Sequence, residues 1–391
     1  MDHASKSALT LFPLLARTSR TAVAALMREL RAWRPSRERA TFGIEALLSV
    51  ALAVAVAHAL HLTHTWWAAL SGFAVMQTAF AASMQRAAYR IVGTIVGAAL
   101  GTLAGPWIGT VPWLFVPAMA VIAAVTVYNV NASRWAYAWM LGGITALLVM
   151  CEARTALAIQ PTADFATMRV AEVVIGTLAC VVVATVFHWG ETTYGKRKSG
   201  AVALPDPPPQ SSAESAAITS PAVRRLLGMQ AALAVALIAA CVQFLRLPGY
   251  EQAMVTAIAV LMLPAGLQPD TVRKPMVEKM AHRVIGCLLA GIVGVAMLPL
   301  MRGHPALCLV ALALGVWVGC HVQTGKEGAS YVGRQFTIAF LMVFVQDHQW
   351  SADPMPALLR LVGIFAGMTA LLVAVFATAG TRLSRNSASV P

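Results

Sequence analysis

Charge is scarce in this chain: only 12% of its 391 residues are Asp, Glu, Lys or Arg, about half the usual soluble share. None of the four occurs in residues 46–85, 91–133, 135–151, 173–190, 226–245, 252–269, 284–301, 303–325 or 361–381. With 59% of the chain apolar, there is too little polar surface to cover these runs in water, which excludes a large soluble domain and most soluble enzyme classes. Cysteine is also sparse. Cys151, Cys180, Cys241, Cys287, Cys308 and Cys320 show no paired metal spacing and mostly lie inside apolar runs, so they read as small packing residues. His58, His61, His64 and His188 fall near span ends and form no metal-ligand set. The chain has no phosphate loop of the Walker type, so it encodes no ATP-driven step. No nucleophile, base and orienting group belong together, so no enzyme, no catalytic residue and no cofactor is expected. Ser7–Ala16 is apolar, but Arg17 and Arg20 interrupt it too soon for a signal peptide.

The apolar runs themselves are long enough to cross a bilayer, which takes roughly 20 residues per helix. Twelve spans are predicted, near 42–60, 66–83, 90–106, 111–128, 135–151 and 168–188, then 225–245, 251–268, 283–300, 305–322, 331–346 and 360–380. With the N-terminus cytoplasmic, all but five of the 29 basic residues fall in inside segments; the exceptions are Arg154, Arg169, Arg246, Arg302 and Arg360. This bias accounts for the net charge of +13 and places both termini in the cytoplasm. Because the basic residues sit between spans and not on one wet face, nucleic acid is not a partner; membrane lipids are. Trp66, Trp67, Trp107 and Trp113 on the outer side, and Trp135 and Trp189 on the inner side, fall where aromatic belts lie.

Residues 1–41 form a cytoplasmic segment with an amphipathic helix that rests on the inner membrane surface. Arg17, Arg20, Arg28, Arg31 and Arg34 share one side, and Leu15, Ala22, Leu26, Leu30 and Trp33 the other. Residues 42–190 make a first membrane unit and residues 224–381 a second. Between them 191–223 is a Pro- and Ser-rich linker, and 382–391 is a cytoplasmic tail. The two units echo each other. Arg39, Gly43, Glu45, Ala46, Leu48 and Val50 recur 185 positions later as Arg224, Gly228, Gln230, Ala231, Leu233 and Val235. Ala74 and Val75 follow the same offset. Arg90, Gly93 and Gly101 match Arg283, Gly286 and Gly294 at 193, which implies an eight-residue insertion before the third helix of the second copy, and Arg169 and Gly176 match Arg360 and Gly367 at 191. The fold expected is an all-α membrane protein of two parallel six-helix repeats related by an axis along the membrane normal.

Gly93, Gly97, Gly101 and Gly105 recur every fourth residue, with Gly286, Ala290 and Gly294 in the second copy. In lipid such a face lets another helix backbone come close, for packing alone or for sliding during a transport cycle. Arg90 and Arg283 stand at the predicted cytoplasmic starts of these helices, where exposed N–H groups and an Arg favour an anion; binding of lipid phosphate is the plainer reading. Glu45, within the first span, is a candidate for proton coupling, and its counterpart Gln230 cannot ionise. Glu172, three residues after Arg169, reads as a structural ion pair.

The segment QRAAYRIVGTIVGAALGTLAG (85–105), its echo KMAHRVIGCLLAGIVG (279–294) and the six-plus-six layout resemble the fusaric acid resistance (FUSC) family of bacterial inner-membrane proteins. The resemblance implies proton-driven efflux of organic anions, aromatic carboxylic acids among them. A similar six-helix unit in plant aluminium-activated malate transporters keeps a passive anion channel in view, and a non-transporting membrane scaffold is the third reading. Two departures stand out: the linker replaces the sizeable cytoplasmic domain of many family members, and Cys287 stands where the first copy has Thr94. A second copy of the chain or a periplasmic adaptor as partner is left open by the sequence.

Accessibility labelling of single cysteines placed in 199–223 and at both ends is expected to mark all three from one side of the membrane. Labelling from opposite sides would contradict the even number of crossings.

Overall fold

The structure, a computed structural model, describes residues 2–156, 158–198, 219–245, 249–264, 266–268, 271–301, 304–345 and 354–387. Residues 199–218 of the linker, 388–391 of the tail, Arg246 and Arg302 lie outside the described residues. The described residues are helical throughout, with no strand: α1 (Asp2–Ala32), α2 (Arg37–Ala59), α3 (Thr65–Val75), α4 (Phe80–Gly109), α5 (Pro112–Val130), α6 (Ala136–Ala156), α7 (Ile159–Lys198), α8 (Pro221–Leu245), α9 (Tyr250–Leu261), α10 (Arg273–Met297), α11 (Pro305–Gln323), α12 (Ser330–Phe344) and α13 (Met355–Ser387). Only helices satisfy every backbone group inside lipid without a partner strand. Nine helices among the described residues are long and apolar enough to cross a membrane. Breaks fall where the chain is punctuated: Ser36 caps α2 through the Arg39 N–H at 3.2 Å, and Pro112 and Pro305 sit in the first turns of α5 and α11.

Two boundaries differ from the sequence expectation. The apolar runs predict a break between the second and third spans of each half, with the third spans starting at Arg90 and Arg283. Instead α3 and α9 stop after 11 and 12 residues, about 17 and 18 Å of helix against a hydrocarbon core of about 30 Å. The third helices then begin ten residues ahead of the two arginines, at Phe80 and Arg273. The first charged residue after Ala46 is Arg86, so charge offered no hint of a break at 76–79. The connection 262–272 is longer than 76–79, on the side where the insertion was expected.

Helix pairing is the same in both halves. α4 lies against α6 and α7, α3 against α2 and α7; correspondingly α10 lies against α12 and α13, and α9 against α8 and α13. The halves meet reciprocally as well, α5 on α8 and α11 on α2. Equivalent small residues make equivalent crossings. A Cβ on Gly176 would strike the Ala68 carbonyl oxygen, and one on Gly367 the Ala253 carbonyl oxygen. Gly43 faces the Trp317 ring across the junction of the halves, while its counterpart Gly228 faces the Ala124 carbonyl. Gly249 takes φ 68° at the start of α9, directly against the Leu359 carbonyl, where a side chain would be strained and crowded.

The glycine faces lie within their own halves. Gly93 and Gly97 meet the carbonyls of Ala138 and Gly142 on α6, Gly101 meets Val149, and Gly105 meets Ala153. In the second half Gly286 meets the Val332 carbonyl on α12, and Gly294 meets Val343. α1 packs on α10, α11 and α13. Ala25 and Leu26 join Val322, Ala329 and Val332, and the buried Glu29 carboxylate accepts from Arg39 Nη1 at 2.8 Å and the Glu327 N–H at 3.0 Å. Leu30 and Trp33 stay exposed, as do Arg17 and Arg20, so the helix is fastened to the second half along part of its apolar side.

Gly97→Leu is expected to cost at least about 3 kcal/mol by overpacking against α6. Gly190→Leu, with nothing within 4 Å of its Cβ position, should stay within about 0.5 kcal/mol of the parent. Unfolding in mixed micelles measures both.

Candidate functional site

The short helices end inside the protein, and their last carbonyls would be left unpaired there. Side chains from elsewhere catch them. Arg334 on α12 donates Nη2 to the Ala74 carbonyl at 3.2 Å, so the second half closes the end of α3. Asn131, after α5, donates to the Leu261 carbonyl at 3.1 Å and accepts from the Leu263 N–H at 3.3 Å, so the first half closes the end of α9. Lys279 Nζ donates to the Met262 carbonyl. The break before α4 is held by Ser83 Oγ, which accepts from the Gln77 N–H at 2.9 Å.

Arg90 and Arg283 stand nearly three turns inside α4 and α10, so the helix N-terminus has no part in their environment, a correction to the sequence reading. The cause is the early start of both helices. Arg90 is 3% exposed and donates Nη1 to the Tyr137 hydroxyl and Nη2 to Ser71 Oγ, both at 2.9 Å; its Nε has no partner. Arg283 is 5% exposed and donates Nε to Thr256 Oγ1 at 3.2 Å and Nη1 to Gln335 Oε1 at 2.8 Å, with Tyr331 beside it. These are one arrangement used twice. Ser71 and Thr256 are 185 positions apart, Tyr137 and Tyr331 are 194 apart, and Arg86 and Lys279 are 193 apart. The last pair also repeat a contact, with the Arg86 guanidinium 4.3 Å from the Tyr137 ring centre and Lys279 Nζ 5.6 Å from that of Tyr331.

Both arrangements face a single cavity of about 630 Å³ lined from both halves. Among the described residues its cations are Arg86, Arg90, Arg169, Lys279, Arg283 and Arg334, and its carboxylate is Glu278. Glu278 is half-exposed and pairs with Lys274 at 4.0 Å. None of the six cations forms an ion pair among the described residues. Hydroxyls, an amide and helix-end carbonyls hold several of them instead. Arginine stays protonated in proteins, so the charge of the five arginines persists; of the six cations, Arg169 lies within electrostatic reach of the Glu172 and Glu251 carboxylates.

Arg169 and Glu172 are not brought together as an ion pair. Arg169 turns toward the cavity over the Trp67 ring, 3.0 Å from its centre, with Nε and Nη1 unpartnered. Glu172 accepts from the His64 N–H at 2.8 Å and the Thr63 hydroxyl at 3.4 Å, closing the start of α3. Three residues of helix turn the two side chains to neighbouring but separate tasks, and a backbone N–H at the head of α3 competes for the carboxylate. Glu45 is half-buried on α2, within electrostatic reach of Cys180 on α7, and is not among the cavity residues. Its counterpart Gln230 is buried and donates to Thr378 Oγ1 at 3.1 Å. Among the described residues no three His, Cys, Asp or Glu side chains are placed to hold a metal.

Sequence reasoning missed Tyr137, Tyr331, Ser71, Thr256, Arg86, Lys279 and Arg334. The offsets already in hand would have paired Ser71 with Thr256 and Arg86 with Lys279; Arg334 has Met140 at the matching place and carried no such signal.

A repeated set of membrane helices around a positively charged internal cavity defines a multi-pass membrane protein of the transporter-related kind. Residues 39–194, spanning α2 to most of α7, match the model of the Fusaric acid resistance protein family. No curated protein and no solved structure matches the chain.

Tyr137→Phe removes the acceptor that Arg90 Nη1 has among the described residues. It is expected to cost about 1–3 kcal/mol through an unsatisfied buried donor, read as a lowered melting temperature in detergent, while Tyr89→Phe, whose hydroxyl accepts only at the surface from Gln85, should leave it unchanged.

Proposed function

We propose that this protein moves small organic carboxylic acids, aromatic ones among them, out of the cell across the bacterial inner membrane, with both termini cytoplasmic and the proton gradient as driving force. The observation that carries the reading is the set of six lining cations, none of which forms an ion pair among the described residues. A buried cation lacking its counter-charge is costly, so the cavity stabilises an anion that enters it and is destabilised when empty, the condition for reversible loading. Its volume falls in the range of roughly 300–1,000 Å³ usual for small-molecule sites. Apolar side chains of the wall, Leu70, Ile144, Val255 and Ile338, supply surface for a ring. The family match over the first half supports transport as the class of activity.

In this reading Arg90 and Arg283 take the carboxylate, and the short helices α3 and α9, whose ends are held across the two halves, are the elements that shift to open the other side. Glu45 is the proton-coupling group, acting from α2 at a distance from the anion.

Counterflow of labelled benzoate in proteoliposomes is expected to fall at least about tenfold in Arg90→Gln with Arg283→Gln, the loss of roughly 1.4 kcal/mol or more of binding. Unchanged flux would refute the cavity as the route. Glu45→Gln is expected to keep counterflow but to end accumulation driven by a pH gradient. Unitary currents in planar bilayers, independent of that gradient, would mark a channel instead.

A further inference from the structure

The charge around the cavity is larger than one carboxylate can answer. Arg86, Arg90 and Arg169 come from the first half, Lys279, Arg283 and Arg334 from the second, and Glu278, the lining acid among the described residues, is already engaged with Lys274 outside. Arg334 lies within electrostatic reach of Arg86 and Arg90, and Lys279 within reach of Arg283 and Arg334, so the cations repel one another across the junction of the halves. A monoanion would leave most of that repulsion in place. The polar fixtures are also doubled: a buried arginine, a hydroxyl from the short helix and a tyrosine on each side, Arg90 with Ser71 and Tyr137, Arg283 with Thr256 and Tyr331. Donors unpartnered among the described residues remain there, namely Nε of Arg90 and Nε and Nη1 of Arg169, in side chains only 3% and 5% exposed. Much of the remaining wall is apolar, including Leu70, Ile144, Val255, Ile338 and Met342.

We infer that the cavity is built for a divalent organic anion, a dicarboxylate whose two charges are separated by an apolar or aromatic spacer. One carboxylate sits at the Arg90 unit and the other at the Arg283 unit, with the spacer against the apolar wall. The inference rests on the anion-transport reading and sharpens it. Two like sites facing one space also explain why the arginine, the hydroxyl and the tyrosine are kept in both copies, whereas Glu45 and Trp67 are replaced by Gln230 and Gln252.

Equilibrium binding of terephthalate and of benzoate to the full-length protein in lipid nanodiscs, at neutral pH and equal ionic strength, tests it. Terephthalate should bind at least about tenfold more tightly, with a steeper loss on adding salt. In Arg90→Gln or Arg283→Gln alone, terephthalate affinity should drop about tenfold or more, while benzoate, which needs only one unit, should lose no more than about twofold. Equal affinity of the two acids for the unaltered protein overturns the divalent assignment and leaves anion transport standing, with no variant needed to decide it. A single variant that loses both acids to the same extent also overturns it. Binding of neither acid overturns the assignment together with the transport reading.

Discussion

Positive charge gathered around one internal cavity, with no ion pair to any of its six cations among the described residues, is the constraint around which the interior is arranged. At an effective dielectric near 20, two unit charges about 4 Å apart interact with roughly 4 kcal/mol, so like charges gathered around one cavity must be spread, anchored and offset. The protein does this with neutral acceptors. Tyr137 and Ser71 hold Arg90, Thr256 and Gln335 hold Arg283, and the carbonyl ends of α3 and α9 hold Arg334 and Lys279. The short helices thereby gain a purpose. An interrupted helix exposes partial negative charge at its C-terminal end, and here that charge meets a cation instead of a water-filled loop.

This arrangement needs two halves that approach closely and alike. Lipid offers no hydrophobic drive between helices, so contact area and small residues do the work. Gly176 against Ala68 and Gly367 against Ala253 set the same crossing twice, and Gly43 against Trp317 and Gly228 against Ala124 set the junction in both directions. The glycine stripes of α4 and α10 serve a different part of the task. They bring α6 and α12 alongside, and α6 and α12 carry Tyr137 and Gln335 to the buried arginines. Packing and chemistry are therefore coupled through single residues: a side chain at Gly97 would displace the helix that positions the partner of Arg90.

Much of the fold was legible in the sequence because lipid imposes a simple rule, that a crossing must be a long apolar helix. The charge-free runs marked the crossings, and the Arg and Gly matches marked the duplication. The site was less legible. Arg90 and Arg283 drew attention for being repeated, yet their place at a helix start was wrong, since an arginine facing a cavity and an arginine facing the membrane surface look the same when read along the chain. Arg169 and Glu172 have the spacing of an ion pair, and only the head of α3 nearby shows why the carboxylate turns away.

The amino-acid sequence by itself determined that this is a membrane protein, where most of its helices run, and that one unit is used twice, because hydropathy and repetition are properties of local order. Tertiary structure decided which basic residues leave the membrane surface for the interior, where the second helix of each half stops, and which side chains from the other half meet it there. Those outcomes depend on contacts between residues as far apart as Ala74 and Arg334, and the energy of a buried charge is set by what stands beside it in space.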